Sequence, residues 1–233
     1  MDKDIKISIA IPCYGMHGKG AEYLDFNLEK IYNQTHKNVE VSISDHSIDN
    51  LILNTIKKWK KKLNIKYNRN KYNIGSSSAN INNAIKNCSG ELIKILFQDD
   101  FLYDNESLTK TIKSFDFNGW WLVSTCCHTN NGIDFYRTHI PSWNEFIHRG
   151  INTISSPSVV TIKNGCDVEF DINLIWLMDV DYYKKLFIKY GNPIILDDIT
   201  VVNRMWENQV SNVLTDDIKN KEVVILTKKY ETN

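Results

Sequence analysis

An α/β fold built on a mainly parallel sheet is the architecture this chain predicts, on three observations. Short apolar, β-branched runs alternate with stretches of helical apolar spacing through the first hundred residues. The run at 92–97 is almost continuously apolar, as expected of a strand covered on both faces. The length of 233 residues, with 42% hydrophobic and 24% charged residues, is that of one globular unit rather than a disordered chain.

Taken in order, the run at 5–12 reads as a buried first strand, followed by a turn carrying Gly15, Gly18 and Gly20. Leu24, Leu28, Ile31 and Tyr32 then fall at helical spacing. A second strand at 39–44 ends at Asp45. Ile52, Ile56, Trp59 and Leu63 mark a second helix, with Asp49 as its expected N-cap. Residues 65–68 suit a short third strand. Ile81, Ala84, Ile85 and Cys88 mark a third helix, for which Gly90 is the expected C-terminal cap. The second half is less regular. Strands are expected at 120–126, 158–162, 194–196 and 199–202, and a helix around Tyr183, Leu186, Phe187 and Tyr190, closed by Gly191 and Pro193. Beyond Thr215 the chain is charged. Its one apolar run, 223–226, would add an edge strand or a contact to another subunit, so a homodimer is an expectation.

Composition narrows the function classes. Lys plus Arg and Asp plus Glu both number 28, so bulk positive charge does not drive binding to nucleic acid or anionic membrane. No apolar run approaches the 18 or so residues of a membrane span. Five scattered cysteines without a CxxC fit free thiols in a reducing compartment, and no signal peptide is visible. These features together predict a cytoplasmic protein.

In parallel α/β sheets, ligands bind at the carboxyl ends of the strands. The strongest signal there is Gln98-Asp99-Asp100, with Asp104 close behind. Two adjacent carboxylates about 5 Å apart repel by roughly 3 kcal/mol at an effective dielectric near 20. A divalent cation such as Mg²⁺ or Mn²⁺ held against a diphosphate removes that penalty. Asp104 is equally well explained as a helix cap. The glycine cluster after the first strand fits neither GxGxxG nor a P-loop. The lysines at 57–62 read as the solvated face of a helix. Cys126 and Cys127 point to opposite faces of their strand and read as buried thiols, and His46, His128 and His139 have no partner at motif spacing. On spacing alone, Asp179 reads as a helix N-cap rather than as a general base set by the helix start.

Assembled in order, these pieces resemble a family 2 glycosyltransferase of the GT-A fold, over residues 6–211. Ser8-Ile-Ala-Ile-Pro12-Cys-Tyr14 resembles the opening strand and turn, Gln34-Thr35 the end of the first helix, and Asp45-His-Ser47 the nucleobase-contacting Asp-Asp-Gly-Ser. Asn73-Ile-Gly75 and Ser89-Gly90-Glu91 resemble the following helix and turn, and Gln98-Asp99-Asp100 stands at the metal-binding Asp-x-Asp. In the second half, Asn152 to Ser158 resembles the acceptor-side loop, Leu177-Met-Asp179-Val-Asp181 the catalytic-base segment, and Arg204 to Ser211 a segment closing over the diphosphate. Three departures stand out: Phe97 replaces the first acid of Asp-x-Asp, Asn80 occupies an often basic position, and Trp206 stands where a His is often found.

The resemblance implies one domain over 1–215, with a nucleotide-sugar half at about 5–100, an acceptor and base half at 101–215, and a tail at 216–233. It implies inverting transfer of a sugar from a nucleotide-diphosphate donor, a UDP-sugar first among them, to the hydroxyl of a glycan, glycolipid or protein acceptor in glycan synthesis. Pro12, Tyr14, Asp45, Asn73, Gly75, Gln98 and Asp99 would bind the donor, Tyr14 against the base and Asp45 on its imino hydrogen. Asp100 would hold Mn²⁺ or Mg²⁺, and Asp179 would deprotonate the acceptor. The enzyme would be cytoplasmic, and able to work at a membrane surface. The rivals are a nucleotidyltransferase acting on sugar phosphates and a decayed, non-catalytic nucleotide-binding module.

Overall fold

The computed structural model describes residues 4–231. Every residue of the first strand, β1 (Ile7–Cys13), is buried, with Ile7, Ile9 and Ile11 on one face and Ala10 on the other. The chain then forms α1 (Gly20–Tyr32), β2 (Val39–Asp45), α2 (Leu51–Trp59) and β3 (Asn64–Arg69), stepping outward with each parallel strand. It next returns through α3 (Ser77–Lys86) to place β4 (Leu92–Ile95) on the opposite side of β1. That reversal between β1 and β4 is the switch point at which a crevice opens beyond the strand ends. Leu24, Leu28, Ile52 and Ile56 of α1 and α2 cover one sheet face, while Ile81 and Ala84 of α3 cover the other.

The second half extends the same sheet. It contains β5 (Phe101–Leu102), α4 (Ser107–Ser114), β6 (Trp121–Thr129), β7 (Tyr136–His139), β8 (Val160–Lys163), α5 (Met178–Tyr190) and β9 (Ile194–Arg204). The strand order is β3-β2-β1-β4-β8-β6-β9-β5, with β7 paired to β6. β8 runs antiparallel to both β4 and β6, so β6 and β9 regain the direction of β1. α6 (Val210–Val213) and α7 (Asp216–Glu231) complete the described chain.

Several expectations need correction. The two short strands expected at 194–202 are one strand, β9, whose register against β6 shifts around Thr125. Gly90 is not a helix cap, because α3 ends at Lys86 with Asn87 as its C-cap. A Cβ at Gly90 would lie 2.6 Å from the Ser8 nitrogen, so glycine there permits a close backbone approach to β1. Asn50, not Asp49, occupies the N-cap position of α2, although Asp49 accepts the Leu51 N–H at 3.0 Å. The apolar run at 223–226 lies inside α7 and is not an edge strand. Only Glu222 and Leu226 of that helix are buried, a helical i, i+4 pair, and acids lead and lysines end it, as the helix dipole favours. Cys126 and Cys127 are buried on different core clusters, as their strand alternation requires.

Candidate active site

A cleft of about 570 Å³ opens at the carboxyl ends of β1 and β4. Pro12, Tyr14, His46 and Gly75 form one wall, Asp99 and Asp100 the floor, and Ile175, Trp176 and Asp179 the far wall. Met205, Trp206 and residues 208–211 line it from the segment after β9.

The floor is built by hydrogen bonds from elements distant in sequence. Gln98 is buried and works as a strut: its Oε1 accepts the Tyr14 N–H at 2.9 Å and its Nε2 donates to the Gly20 carbonyl at 2.7 Å. A Cβ at Gly20 would collide with the Tyr14 carbonyl, so this residue is tied to the tight turn between β1 and α1. Asp100 accepts the Arg204 backbone N–H at 3.1 Å and the Ser156 hydroxyl at 2.9 Å. The indole of Trp206 donates to Asp99 Oδ2 at 3.1 Å, so the residue at the often-histidine position binds the acid pair directly. Burial raises both acids above the usual carboxylate range, and the neighbouring Asp99 charge helps to bring Asp100 to about 7.

Asp179 lies in the first turn of α5, inside the helix rather than at its N-cap, which is Leu177. Its Oδ1 accepts the Val180 N–H at 2.7 Å and its Oδ2 the Asn152 side-chain amide at 2.8 Å. Burial pushes its carboxyl up to about 7, with the Glu222 charge adding to the rise. The loop at 152–156 therefore touches both acidic centres, Asn152 reaching Asp179 and Ser156 reaching Asp100. Ser155, at φ 98, takes a left-handed backbone that a non-glycine residue rarely adopts. Sequence reading placed this loop on the acceptor side without assigning chemistry to Asn152 or Ser156.

Not every expected residue reaches the cleft. Asp45 is fully buried behind the wall, its Oδ1 taken by the Ser47 N–H at 2.7 Å and its Oδ2 by the Tyr67 hydroxyl at 2.8 Å and Arg69 at 3.1 Å. Saturated in this way, it is a buttress of the turn after β2 rather than an open acceptor for a base hydrogen. Its neighbour His46, given no role by motif spacing, lines the cleft instead. The His46 ring is 7% exposed, its Nε2 has no hydrogen-bond partner among the described residues, and burial lowers its pKa. Asn73 stands outside the lining residues at a positive φ of 48°, its carbonyl accepting the Ser76 N–H that starts α3. Asp104 is taken by Lys110 at 2.7 Å and by the Glu106 N–H, which removes it from the acidic floor, and the N-cap position of α4 is held by Glu106 rather than by Asp104. Asn80, the departure from a basic residue, locks Ser44 at 2.6 Å and the Cys13 carbonyl at 2.9 Å.

The floor suits a hard divalent cation in donor chemistry. Asp99 and Asp100 offer oxygen alone, and among the described residues no side-chain cation forms an ion pair with either. No group of three or more His, Cys, Asp or Glu side chains converges among the described residues. The protein would thus supply one or two carboxylates and a bound diphosphate the remaining oxygens.

A sheet that reverses between β1 and β4, sets the antiparallel β8 between β4 and β6 and ends in an acid pair at a single cleft defines the GT-A class of glycosyltransferases. Staphylococcus aureus TarS residues 1–349, solved with UDP-GlcNAc, superimposes with a TM-score of 0.73 at 18% identity, over 97% of this chain and 67% of that one. A mannosyltransferase from Pyrobaculum calidifontis, solved with GDP-Man and Mn²⁺, gives 0.70 at 15% identity, over 98% of this chain and 65% of that one. The glycosyl transferase family 2 profile matches residues 8–187, and the chain belongs to that family. An uncharacterised glycosyltransferase of Rickettsia bellii is 35% identical over 104 residues, which are 45% of this chain and 14% of that relative. No described helix is long and apolar enough to cross a membrane.

Proposed function

We propose that this glycosyltransferase moves one sugar, with inversion, from a nucleoside-diphosphate donor to an acceptor hydroxyl. The observation that carries the reading is the pairing, across one cleft, of the half-buried Asp99 and the buried Asp100 with a separate acid at Asp179 held near neutrality. Two acidic centres with different surroundings divide the work: one faces the leaving group, the other the attacking hydroxyl.

Tyr14 and Pro12 support the base, and His46, which lines the same wall, gives it a polar contact in place of Asp45. Gly75, at φ +93°, and the start of α3 border the same wall, where a helix N-terminus favours an anion. Asp100, with Asp99 beside it, would hold Mn²⁺ or Mg²⁺, which offsets charge on the departing diphosphate. Asp179, ionised, takes the proton of the acceptor hydroxyl as that oxygen attacks the anomeric carbon. The bond from that carbon to the diphosphate breaks on the opposite face. Asn152 keeps the Asp179 carboxylate turned toward the cleft. The donor we favour is a UDP-sugar, as in the TarS complexes, and a GDP-sugar, as in the mannosyltransferase complex, is the other candidate. Glycans, glycolipids and proteins are the acceptor classes that fit a hydroxyl nucleophile.

Thermal stabilisation by UDP, GDP, dTDP and their sugars, with and without Mn²⁺, tests this reading. A ligand at 100 times its dissociation constant adds about 2.7 kcal/mol. Stabilisation by one nucleotide that strengthens with Mn²⁺ is expected. Stabilisation by none of them would overturn the donor reading and favour a non-catalytic module.

A further inference from the structure

The family profile ends at residue 187, yet the helix that closes the described chain grips the segment carrying Asp179. Glu222 of α7 is 4% exposed, and its carboxylate accepts three consecutive backbone N–H groups: Ile175 at 2.7 Å, Trp176 at 2.9 Å and Leu177 at 2.8 Å. Leu177 is the N-cap of α5, and no side chain of its own caps that helix. Glu222 thus supplies from another helix the oxygen acceptors and negative charge that a helix N-terminus seeks. Two of the three gripped residues, Ile175 and Trp176, line the cleft. On the other side of Asp179, the buried Asp181 is held by Lys229 at 2.7 Å and by the Tyr230 hydroxyl at 2.7 Å, both again from α7. Leu226 between these anchors is wholly buried in the core.

We propose that Glu222 is a positioning residue for the transfer reaction, fixing the backbone at 175–177 so that the first turn of α5 presents Asp179 to the acceptor hydroxyl. The inference rests on Asp179 being the general base. Its energetic logic is orientation: a displaced base loses rate while the donor, bound mainly by the opposite wall, is still held. The titratable groups that bear on Asp179 are Glu222 from α7 and Tyr183 from α5, and Asn152 approaches it as a neutral donor. Removing the Glu222 charge therefore lowers the Asp179 pKa, while the loss of kcat at constant donor affinity is what a purely structural contact would not produce.

The full chain carrying Glu222→Gln tests this. Expected are faster amide exchange at Ile175, Trp176 and Leu177, a downward shift of the Asp179 carboxyl titration followed by ¹³C NMR, and UDP affinity within about twofold of the parent. With the donor identified by thermal stabilisation, kcat falls on the order of 10- to 100-fold at nearly constant donor KM. Unchanged exchange, titration and kcat would overturn the proposal. So would a fall in kcat matched by an equal loss of UDP affinity. Should Glu222→Gln fail to fold, Glu222→Asp keeps the charge but retracts the carboxylate. It is expected to lower kcat with the Asp179 titration near its parent value, and an unchanged kcat would overturn the proposal. Asp179→Asn separates the two ideas. If it retains transfer, the base reading falls and this inference with it. If it is inactive while Glu222→Gln matches the parent, the Glu222 inference falls alone.

Discussion

The two ends of the central sheet treat buried acids in opposite ways. Near the amino end, Glu40 on β2 is 1% exposed and meets Lys6 at 2.8 Å, Ser8 at 2.9 Å and the Ser89 hydroxyl at 2.7 Å. Burial alone would raise its carboxyl, but the hydrogen bonds from Lys6, Ser89 and Ser8 outweigh burial and bring it down to about 2. At the carboxyl end, Asp100 and Asp179 receive neutral donors instead, and burial wins, leaving both near 7. The difference separates an acid that joins strands from acids that await a partner. A fully neutralised carboxylate has nothing left to offer a substrate.

This contrast can be broken most sharply at Asp179. Asp179→Asn is expected to lower transfer 10²- to 10⁴-fold while UDP affinity, measured by calorimetry, stays within about twofold. A proportional loss of binding would remove the base assignment. At the other end of the sheet the outcome should invert. Glu40→Ala takes the Glu40 acceptor from Ser8, Ser89, Lys6 and Lys66, and is expected to cost about 2–3 kcal/mol in urea unfolding, with kcat per folded molecule unchanged.

The pH dependence of stability sharpens the comparison further. Glu40, lowered to about 2, contributes stability that is present above about pH 4.5 and lost as pH falls toward 2. Asp100 and Asp179, raised to about 7, act in the other sense: the folded protein holds their protons between about pH 4 and 7, so stability falls as pH rises through that window. Thermal melts should therefore peak near pH 5 and decline toward pH 8, and Asp179→Asn should flatten the decline. Transfer requires ionised Asp179, so its rate should climb through about pH 7 while stability drops. A melting profile flat from pH 5 to 8 would contradict the raised acids. The smallest expected effect is at the donor wall, where His46→Ala should weaken UDP binding about tenfold, the worth of roughly one hydrogen bond. Equal UDP binding would return base recognition to other residues.

The donor half was legible because its signals are local. Short apolar runs over β1, β2 and β4, helical spacing over α1 and α3, and an acid pair at a strand end each lie within a dozen residues. Together with the family resemblance, which alone singled out Gly75, they pointed to Pro12, Tyr14, Gly75, Gln98, Asp99 and Asp100, and all six line one cleft. The acceptor half resisted because its cleft residues come from loops with no period, such as 152–156. The misread run at 223–226 has the same origin. Its β-branched residues suit a strand locally, whereas the burial of Glu222 and Leu226, 4 residues apart, belongs to a helix.

Periodicity and motif order were enough to establish the α/β class, the position of the crevice and the acids available to it, since hydrophobic patterning acts between near neighbours along the chain. Which acids remain open was decided only in three dimensions. Asp45 sits in a recognisable motif but is saturated by Tyr67 and Arg69. His46 beside it faces the cleft, Trp206 reaches Asp99 across 107 residues, and Glu222 grips the segment before Asp179 from 45 to 47 residues away. Charge neutralisation, hydrogen-bond saturation and burial depend on partners that only folding brings within a few ångströms, and those three quantities separate a structural carboxylate from a chemical one.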